Sequence, residues 1–315
     1  VRILQGFDQR LGRIAVTLGS FDGVHVGHQR LLARLVAMAR GHDARSAVLT
    51  FDPHPRAILT PGQEPPLLTT AAEREALLAE AGVDLLVRLR FDAELADTEA
   101  GDFIVRRVLP LGDVVGFVVG YDLHFGKGRG GNTALLRALG KEHGFLVEEV
   151  GEQTVGPVPV KSTRVRDAVA RGDLPAAASL LGRPYFVSGR VVAGAGRGRD
   201  LGFRTANVEI ANAAKLLPPE GVYAVRVAGS TRDGAAFEAG GVANLGVRPT
   251  FGGGPRVLEV HVFGGERDLY EGEMTVRFVE RLREERRFES PGALAAQIGE
   301  DVARAQAVLA RGNRA

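Results

Sequence analysis

Gly19-Ser-Phe-Asp-Gly-Val-His-Val-Gly-His28 is the stretch that decides the fold of the first half of this 315-residue chain. An apolar run over residues 14–18 precedes it and an amphipathic pattern over 29–40 follows it, so it reads as the turn of a strand–turn–helix unit. The free N–H groups at the start of such a helix point at whatever sits above the carboxyl end of the strand. His25 and His28 are three residues apart and share one helical face. Both can therefore aim at an anion held there. The helix field disfavours added positive charge, so neutral imidazoles donating one N–H each are expected. The competing reading is a pair of surface histidines at a helix start. The flanking glycines and the strand context weigh against it, and the stretch reads as a nucleotide triphosphate site.

Composition sets outer bounds. The length allows two domains with separate cores. A net charge of +2 is too small to argue for a nucleic-acid partner, and 42 glycines point to tight turns or phosphate loops. The absence of cysteine excludes disulfides, thiolate catalysis and cysteine-ligated zinc. That absence fits a reducing cytoplasm, which is the expected location. The amino-terminal residues carry no apolar signal region and no run approaches the length of a membrane span.

The first half alternates strand and helix. Apolar strands at 13–19, 45–51, 83–89 and 114–120 are separated by helical patterns at 29–40, 71–81, 93–108 and 132–143. That order predicts a parallel sheet with helices on both faces, in which ligands bind beyond the carboxyl ends of the strands. The loop of His25 and His28 lies there, as do Phe51-Asp-Pro-His-Pro55 and Gly120-Tyr-Asp122. A helix at about 163–180 closes this half, ended by Leu181-Gly-Arg-Pro184. Short alternating segments then follow at 185–193, 221–228, 236–243, 256–263 and 274–282, which predicts a small antiparallel barrel. Ser290-Pro-Gly opens a last helix with Ser as N-cap and Pro at N1, and Leu294, Ile298 and Val302 form its apolar stripe. The expected domains are 1–182 and 183–315.

Four further motifs carry chemistry. Val160-Lys-Ser-Thr-Arg-Val-Arg166 precedes a helix and offers hydroxyls, amides and arginines to a triphosphate. Gly120-Tyr-Asp-Leu-His-Phe-Gly-Lys-Gly-Arg-Gly-Gly-Asn132 is a glycine loop but not a Walker A loop, because Gly128 rather than Ser or Thr follows Lys127. Gly189-Arg-Val-Val-Ala-Gly-Ala-Gly-Arg-Gly-Arg-Asp-Leu-Gly-Phe-Arg-Thr-Ala-Asn207 is not a dinucleotide fingerprint either, since Arg199 takes the third glycine position and no helix follows. Its glycines let backbone amides close around phosphates. In Arg256-Val-Leu-Glu-Val-His-Val-Phe263 the alternation puts Leu258, Val260 and Val262 on one face and Glu259 and His261 on the other.

Together these motifs resemble the bifunctional prokaryotic riboflavin kinase/FAD synthetases, over nearly the whole chain and in order. His25 and His28 stand in the HxGH signature of the nucleotidylyltransferase superfamily, and Ser162, Thr163 and Arg166 match its ISSTxxR motif, with Lys161 replacing the first serine. The 120–132 segment is similar to the family's GxDFxFGxxxxGN flavin motif, from which Leu123 and His124 depart. The 189–207 segment is similar to GxGRGxxLGFPTAN, with Arg204 in place of proline. Segments 241–250, 268–270 and 278–288 also match. The resemblance implies a Rossmann-like nucleotidylyltransferase domain, then a β-barrel riboflavin kinase domain with a C-terminal helix. It implies an ATP site at Gly19, Phe21, Asp22, Gly23, His25, His28, Ser162, Thr163 and Arg166, and a flavin site at Asp52, His54, Asp122, Phe125 and Asn132. In the kinase it implies phosphate binding by Gly194, Gly196, Gly198, Gly202 and Asn207, Mg²⁺ on Thr205 and Asn207, and Glu259 as general base.

The implied reactions are phosphorylation of riboflavin to FMN by ATP, then adenylylation of FMN to FAD. The partners are these small molecules, without nucleic acid or membrane, and a homo-oligomer is left open. Two alternatives stay on the table: an aminoacyl-tRNA synthetase fragment, against which length and the barrel argue, and a flavin-binding regulator or FAD synthetase whose kinase is silenced.

Overall fold

The computed structural model describes residues 1–193, 203–247, 256–265, 267–286 and 288–311. The chain divides into two compact units, Val1–Ser162 and Thr163–Ala315.

The first unit is built on six parallel strands: β1 (Arg2–Gln5), β2 (Arg13–Leu18), β3 (Arg45–Asp52), β4 (Leu85–Arg90), β5 (Asp113–Gly120) and β6 (Leu146–Val150). Their order in the sheet is β1-β4-β3-β2-β5-β6. The helices α1 (Val26–Gly41), α2 (Pro55–Leu59), α3 (Ala71–Glu80), α4 (Ala93–Ala96), α5 (Ala100–Asp102) and α6 (Thr133–His143) connect them. Residues 14–18 of β2 are all buried, whichever way they point, as a strand covered on both faces requires. Ile14, Val16, Leu49, Val87 and Phe117 form the centre of the core. Chain order reverses beside β2: β3 lies on one side and β5 on the other. The carboxyl end of β2 is therefore the switch point where such sheets bind ligands. β1 and β6 are the edges of the sheet.

The single helix expected over 93–108 is instead α4, α5, a π-helical turn at Phe103–Val108 and a tight turn at Leu109–Leu111. Asp92 caps α4 through Leu95 N–H, and α4 ends within one turn at Asp97. β1, β6 and a small hairpin of β7 (Thr154–Val155) and β8 (Val158–Pro159) were not anticipated.

The second unit opens with α7 and α8, where one helix was expected over 163–180. α7 (Ser162–Arg171) starts on the last residue of the first unit, and α8 (Leu174–Leu181) restarts at Asp173, whose carboxylate caps Ala176 N–H at 3.1 Å. Gly172 between them has φ +74° and so breaks the helix. A closed antiparallel barrel follows, of β9 (Phe186–Val192), β10 (Ala206–Glu209), β11 (Gly221–Ser230), β12 (Ala236–Val247), β13 (Arg256–Val262) and β14 (Glu273–Arg283). The last helix, α9 (Pro291–Arg311), begins as expected, with Ser290 Oγ accepting from Ala293 N–H at 3.2 Å. Ala305 and Leu309 of α9 pack on Val222, Ala224, Val242 and Leu282 of the barrel, with Val302 beside them. Its stripe also carries a buried acid: Asp301, 4% exposed, is gripped by Arg283 at 2.7 and 3.0 Å and by Gln297 at 3.1 Å.

Candidate active sites

The loop from β2 to α1 turns through three residues of positive φ: Phe21 (+49°), Gly23 (+81°) and Val24 (+37°). Only glycine fits at 23, because a Cβ there would lie 2.8 Å from Leu68 Cδ1. Asp22 is 1% exposed, and its carboxylate accepts from Leu68 N–H (3.0 Å), Thr69 N–H (2.8 Å) and the Thr69 hydroxyl (2.9 Å). Gly23 N–H donates back to the same hydroxyl at 3.1 Å. From α3, Arg74 reaches Ser20 O at 3.2 Å. Burial lowers the pKa of that guanidinium, against the opposing pull of the Asp22 and Asp52 carboxylates. The loop is thus clamped to segment 68–74 on one side.

On the other side it presents the histidines. His25 is the N-cap of α1, and its Nδ1 accepts from His28 N–H at 3.2 Å. An accepting Nδ1 carries no proton, which leaves Nε2 as the ring's donor. The two rings stack with centroids 3.6 Å apart and 11° between planes, and the Phe21 ring lies 5.0 Å from that of His28. Two imidazolium cations would repel at that separation, so the stack fits the uncharged pair expected from the helix field. The chain thus delivers two imidazoles and the first amides of α1 to one place. Ser162, the last residue of the first unit, joins the same loop, its Oγ donating to Asp22 O at 3.0 Å. The next residue, Thr163, is exposed, and Arg166 is half-buried one turn on.

The five residues assigned to flavin separate into two groups. Asp52, the last residue of β3, and Asp122, two residues past β5, are exposed at the carboxyl ends of these strands. The others hold the chain: His54 Nδ1 caps α2 through Arg56 N–H (3.2 Å), Asn132 Oδ1 caps α6 through Leu135 N–H (3.0 Å), and Phe125 is buried 6.1 Å from Phe103. Arg74 and Thr69 escaped the sequence reading. The Thr70/Glu73 capping box of α3 announced a helix there, but nothing announced which loop it would brace.

The second site lies on the outer face of the barrel. In β13, Leu258 and Val260 are fully buried while Glu259 and His261 are half-buried on the other face. Register sets Glu259 directly opposite Asn207 of β10 and Asn244 of β12. Directly opposed side chains lie about 4.5–5.5 Å apart at Cβ, so carboxylate and amides form one row. Asn207 is 5% exposed, and its Oδ1 has no hydrogen-bond partner among the described residues. Thr205, exposed, stands two residues before it, just ahead of β10. Arg204 O accepts from His261 Nδ1 at 2.9 Å and the Phe203 ring meets the His261 ring edge-on at 5.5 Å, which lays this segment across β13. Asn244 Nδ2 donates to Glu285 Oε1 at 3.3 Å, an arrangement the sequence did not announce. Gly194, Gly196, Gly198 and Gly202 lie outside the described residues.

Comparison with known proteins agrees with this division. Residues 8–164 match the family model described as FAD synthetase and residues 181–309 that described as riboflavin kinase. The chain is 41% identical to the bifunctional riboflavin kinase/FMN adenylyltransferase of Pseudomonas fluorescens, over 93% of this chain and 92% of that one. It is 40% identical to the Escherichia coli K12 protein of the same name, over 91% and 90%. A crystal structure titled as a macrolide-efflux protein from Streptococcus pneumoniae superposes with a TM-score of 0.84 at 29% identity, covering 97% of this chain and 99% of that one. With both halves matched and relatives aligned almost end to end, the chain belongs to the bifunctional riboflavin kinase/FMN adenylyltransferases, transferases of FMN and FAD synthesis.

Proposed function

We propose that residues 1–182 transfer AMP from ATP to FMN around the His25–His28 pair, and that residues 183–315 phosphorylate riboflavin around Glu259, in the cytoplasm. In the first reaction an FMN phosphate oxygen attacks the α-phosphorus of ATP, a P–O–P bond forms, and the α–β bond breaks to release pyrophosphate. No proton need be removed from the nucleophile at neutral pH. The chain's work is alignment and charge stabilisation. His25 and His28 donate N–H to phosphoryl oxygens, the amides of α1 add their field, and Ser162 extends the donor set. Asp52 and Asp122 are the exposed groups on the flavin side.

In the second reaction the terminal ribityl hydroxyl attacks the γ-phosphorus of ATP and ADP leaves. Glu259 takes the hydroxyl proton as the bond forms. Mg²⁺ is part of this proposal. Asn207 Oδ1 is a buried oxygen acceptor that no described residue satisfies, and together with the hydroxyl of Thr205, two residues earlier, it suits a hard cation. When bound, that ion neutralises charge on the ATP phosphates.

The observation that carries the reading is that the chemistry sits in two places: a stacked histidine pair at a helix start in one unit, and a carboxylate between two amides in the other. The test separates them. His28→Ala should lower FAD formation from FMN about 10²–10³-fold with FMN formation unchanged. Glu259→Gln should lower riboflavin phosphorylation about 10²–10⁴-fold with adenylylation unchanged. Product chromatography on riboflavin and on FMN, run separately, reads both. Equal loss of both activities in a folded variant would refute the two-site assignment.

A further inference from the structure

Lys161 departs from the resembling motif, where a serine stands. It sits in the first unit among acidic neighbours. Its Nζ lies 5.8 Å from the centroid of the Tyr121 ring, and the Tyr121 hydroxyl donates to Glu152 Oε1 at 2.6 Å. Asp122 is the next residue and is exposed. A hydrogen bond to Tyr121 is the main reason the ammonium is held above its ordinary pKa, and the nearby Asp122 and Glu152 carboxylates add to it. The Tyr121 phenol is pushed up as well, by burial first and then by its bond to Glu152. Tyr121 and Asp122 follow β5, and Glu152 follows β6 by two residues. The group thus stands at the carboxyl edge of the sheet, beside the segment assigned to flavin.

The charge balance there is awkward for an enzyme whose substrates are anions. Two carboxylates, Asp122 and Glu152, act on the Lys161 ammonium. With serine in place of Lys161, that ammonium would no longer offset them as a phosphorylated flavin approaches. The ammonium is tied to Tyr121, on the flavin side, so its field should act on FMN more than on ATP.

We propose that Lys161 is a specificity residue of the adenylyltransferase: the counter-charge that lets FMN enter past Asp122 and Glu152. The inference rests on the assignment of residues 120–132 to flavin. Surface charge acts on substrate capture over distances comparable to the Debye length, so the effect belongs in KM rather than kcat and falls with salt.

The test is steady-state adenylylation by the full chain, with FMN and ATP varied in turn, for wild type, Lys161→Ser, Lys161→Arg and the double variant Lys161→Ser/Glu152→Gln. Lys161→Ser should raise KM for FMN about three- to tenfold at low salt and less than about twofold near 0.5 M salt. Its kcat and KM for ATP should stay within about twofold, because the interaction with FMN is made equally in the bound ground state and in the transition state. Lys161→Arg should behave as wild type, and removing the Glu152 charge should restore most of the FMN affinity. An unchanged KM for FMN, an equal rise for ATP, an effect indifferent to salt, or no rescue by Glu152→Gln would each overturn the proposal. Urea unfolding of each variant reports whether the first unit, which carries Lys161 and Glu152, stays folded. His28→Ala keeps the two questions apart: if it leaves FAD formation intact, the site assignment itself has failed, whereas a silent Lys161→Ser beside an inactive His28→Ala refutes Lys161 alone.

Discussion

Asp22→Ala should unfold the adenylyltransferase unit long before it alters any contact with substrate. The carboxylate is 1% exposed and accepts three hydrogen bonds from Leu68 and Thr69. Two of the donors are backbone N–H groups of residues that are themselves 1% and 2% exposed, so truncation strands them away from water. A hydrogen bond to a charged group contributes about 1.5–3 kcal/mol, and each buried donor left unsatisfied costs about 1–3 kcal/mol. These effects overlap, and a net loss of about 3–5 kcal/mol follows by analogy with other buried charged groups stripped of a partner. For a unit of this size that is roughly 6–20 °C in Tm. Asp22→Asn should fall between, since one amide oxygen can still accept while its NH₂ faces N–H donors. Calorimetry or urea unfolding, read beside the two activities, is the assay. FAD formation should fall in parallel with the first unit's transition and recover in part on cooling, while FMN formation is untouched. Loss of FAD formation with unfolding within about 0.5 kcal/mol of wild type would refute the reasoning and make Asp22 a ligand contact.

Two further outcomes are expected. A fragment starting at Thr163 should fold and keep kinase activity, and should resist urea better than one starting at Arg183, because α8 packs on β14 and buries Leu174, Ala177, Leu180 and Leu181; equal midpoints would show that α7 and α8 add nothing to the barrel. Arg204→Pro should shift KM for ATP less than about tenfold, since the carbonyl that accepts from His261 is kept and stiffening the chain contributes only about 0.4–1 kcal/mol; a wild-type chain without kinase activity that Arg204→Pro awakens would mean a silenced kinase.

The sequence made the architecture legible because each unit repeats its own period. Buried parallel strands read as continuous apolar runs, and barrel strands as alternation broken by glycine turns. What escaped lay at the margins. β1 buries only Leu4, and β6 carries Glu148 and Glu149, so neither shows an apolar run. The long helix over 93–108 and the one over 163–180 kept their apolar spacing through interruptions at Asp97 and Gly172, and period alone does not see a break. The stripe of α9 was read from Leu294, Ile298 and Val302, yet Asp301 is among its most buried residues, because Arg283 supplies the charge that lets it stay. At the sites, the chemistry-bearing types were visible while their uses were not. Asp22, His54 and Asn132 match motif positions, but their carboxylate, imidazole and amide each bind backbone N–H groups of this chain. Asn244 lay within a matched segment without a role until strand register set it beside Glu259.

The two units differ in how they end their sheets, and this bears on how the protein fails under stress. Among the described residues the barrel closes on itself and leaves no strand unpaired, whereas the parallel sheet stops at β1 and β6. Open edges are templates for intermolecular pairing. Here Ile3 is 41% and Leu146 51% exposed on those strands. The protection is brevity on one side, with four residues in β1, and charge on the other, where Glu148 pairs with Arg34 and Glu149 with Arg137. Heat or acid that weakens those ion pairs leaves β6 as the edge open to another chain. Aggregation should therefore begin in the adenylyltransferase half and carry a still-folded kinase barrel into the precipitate.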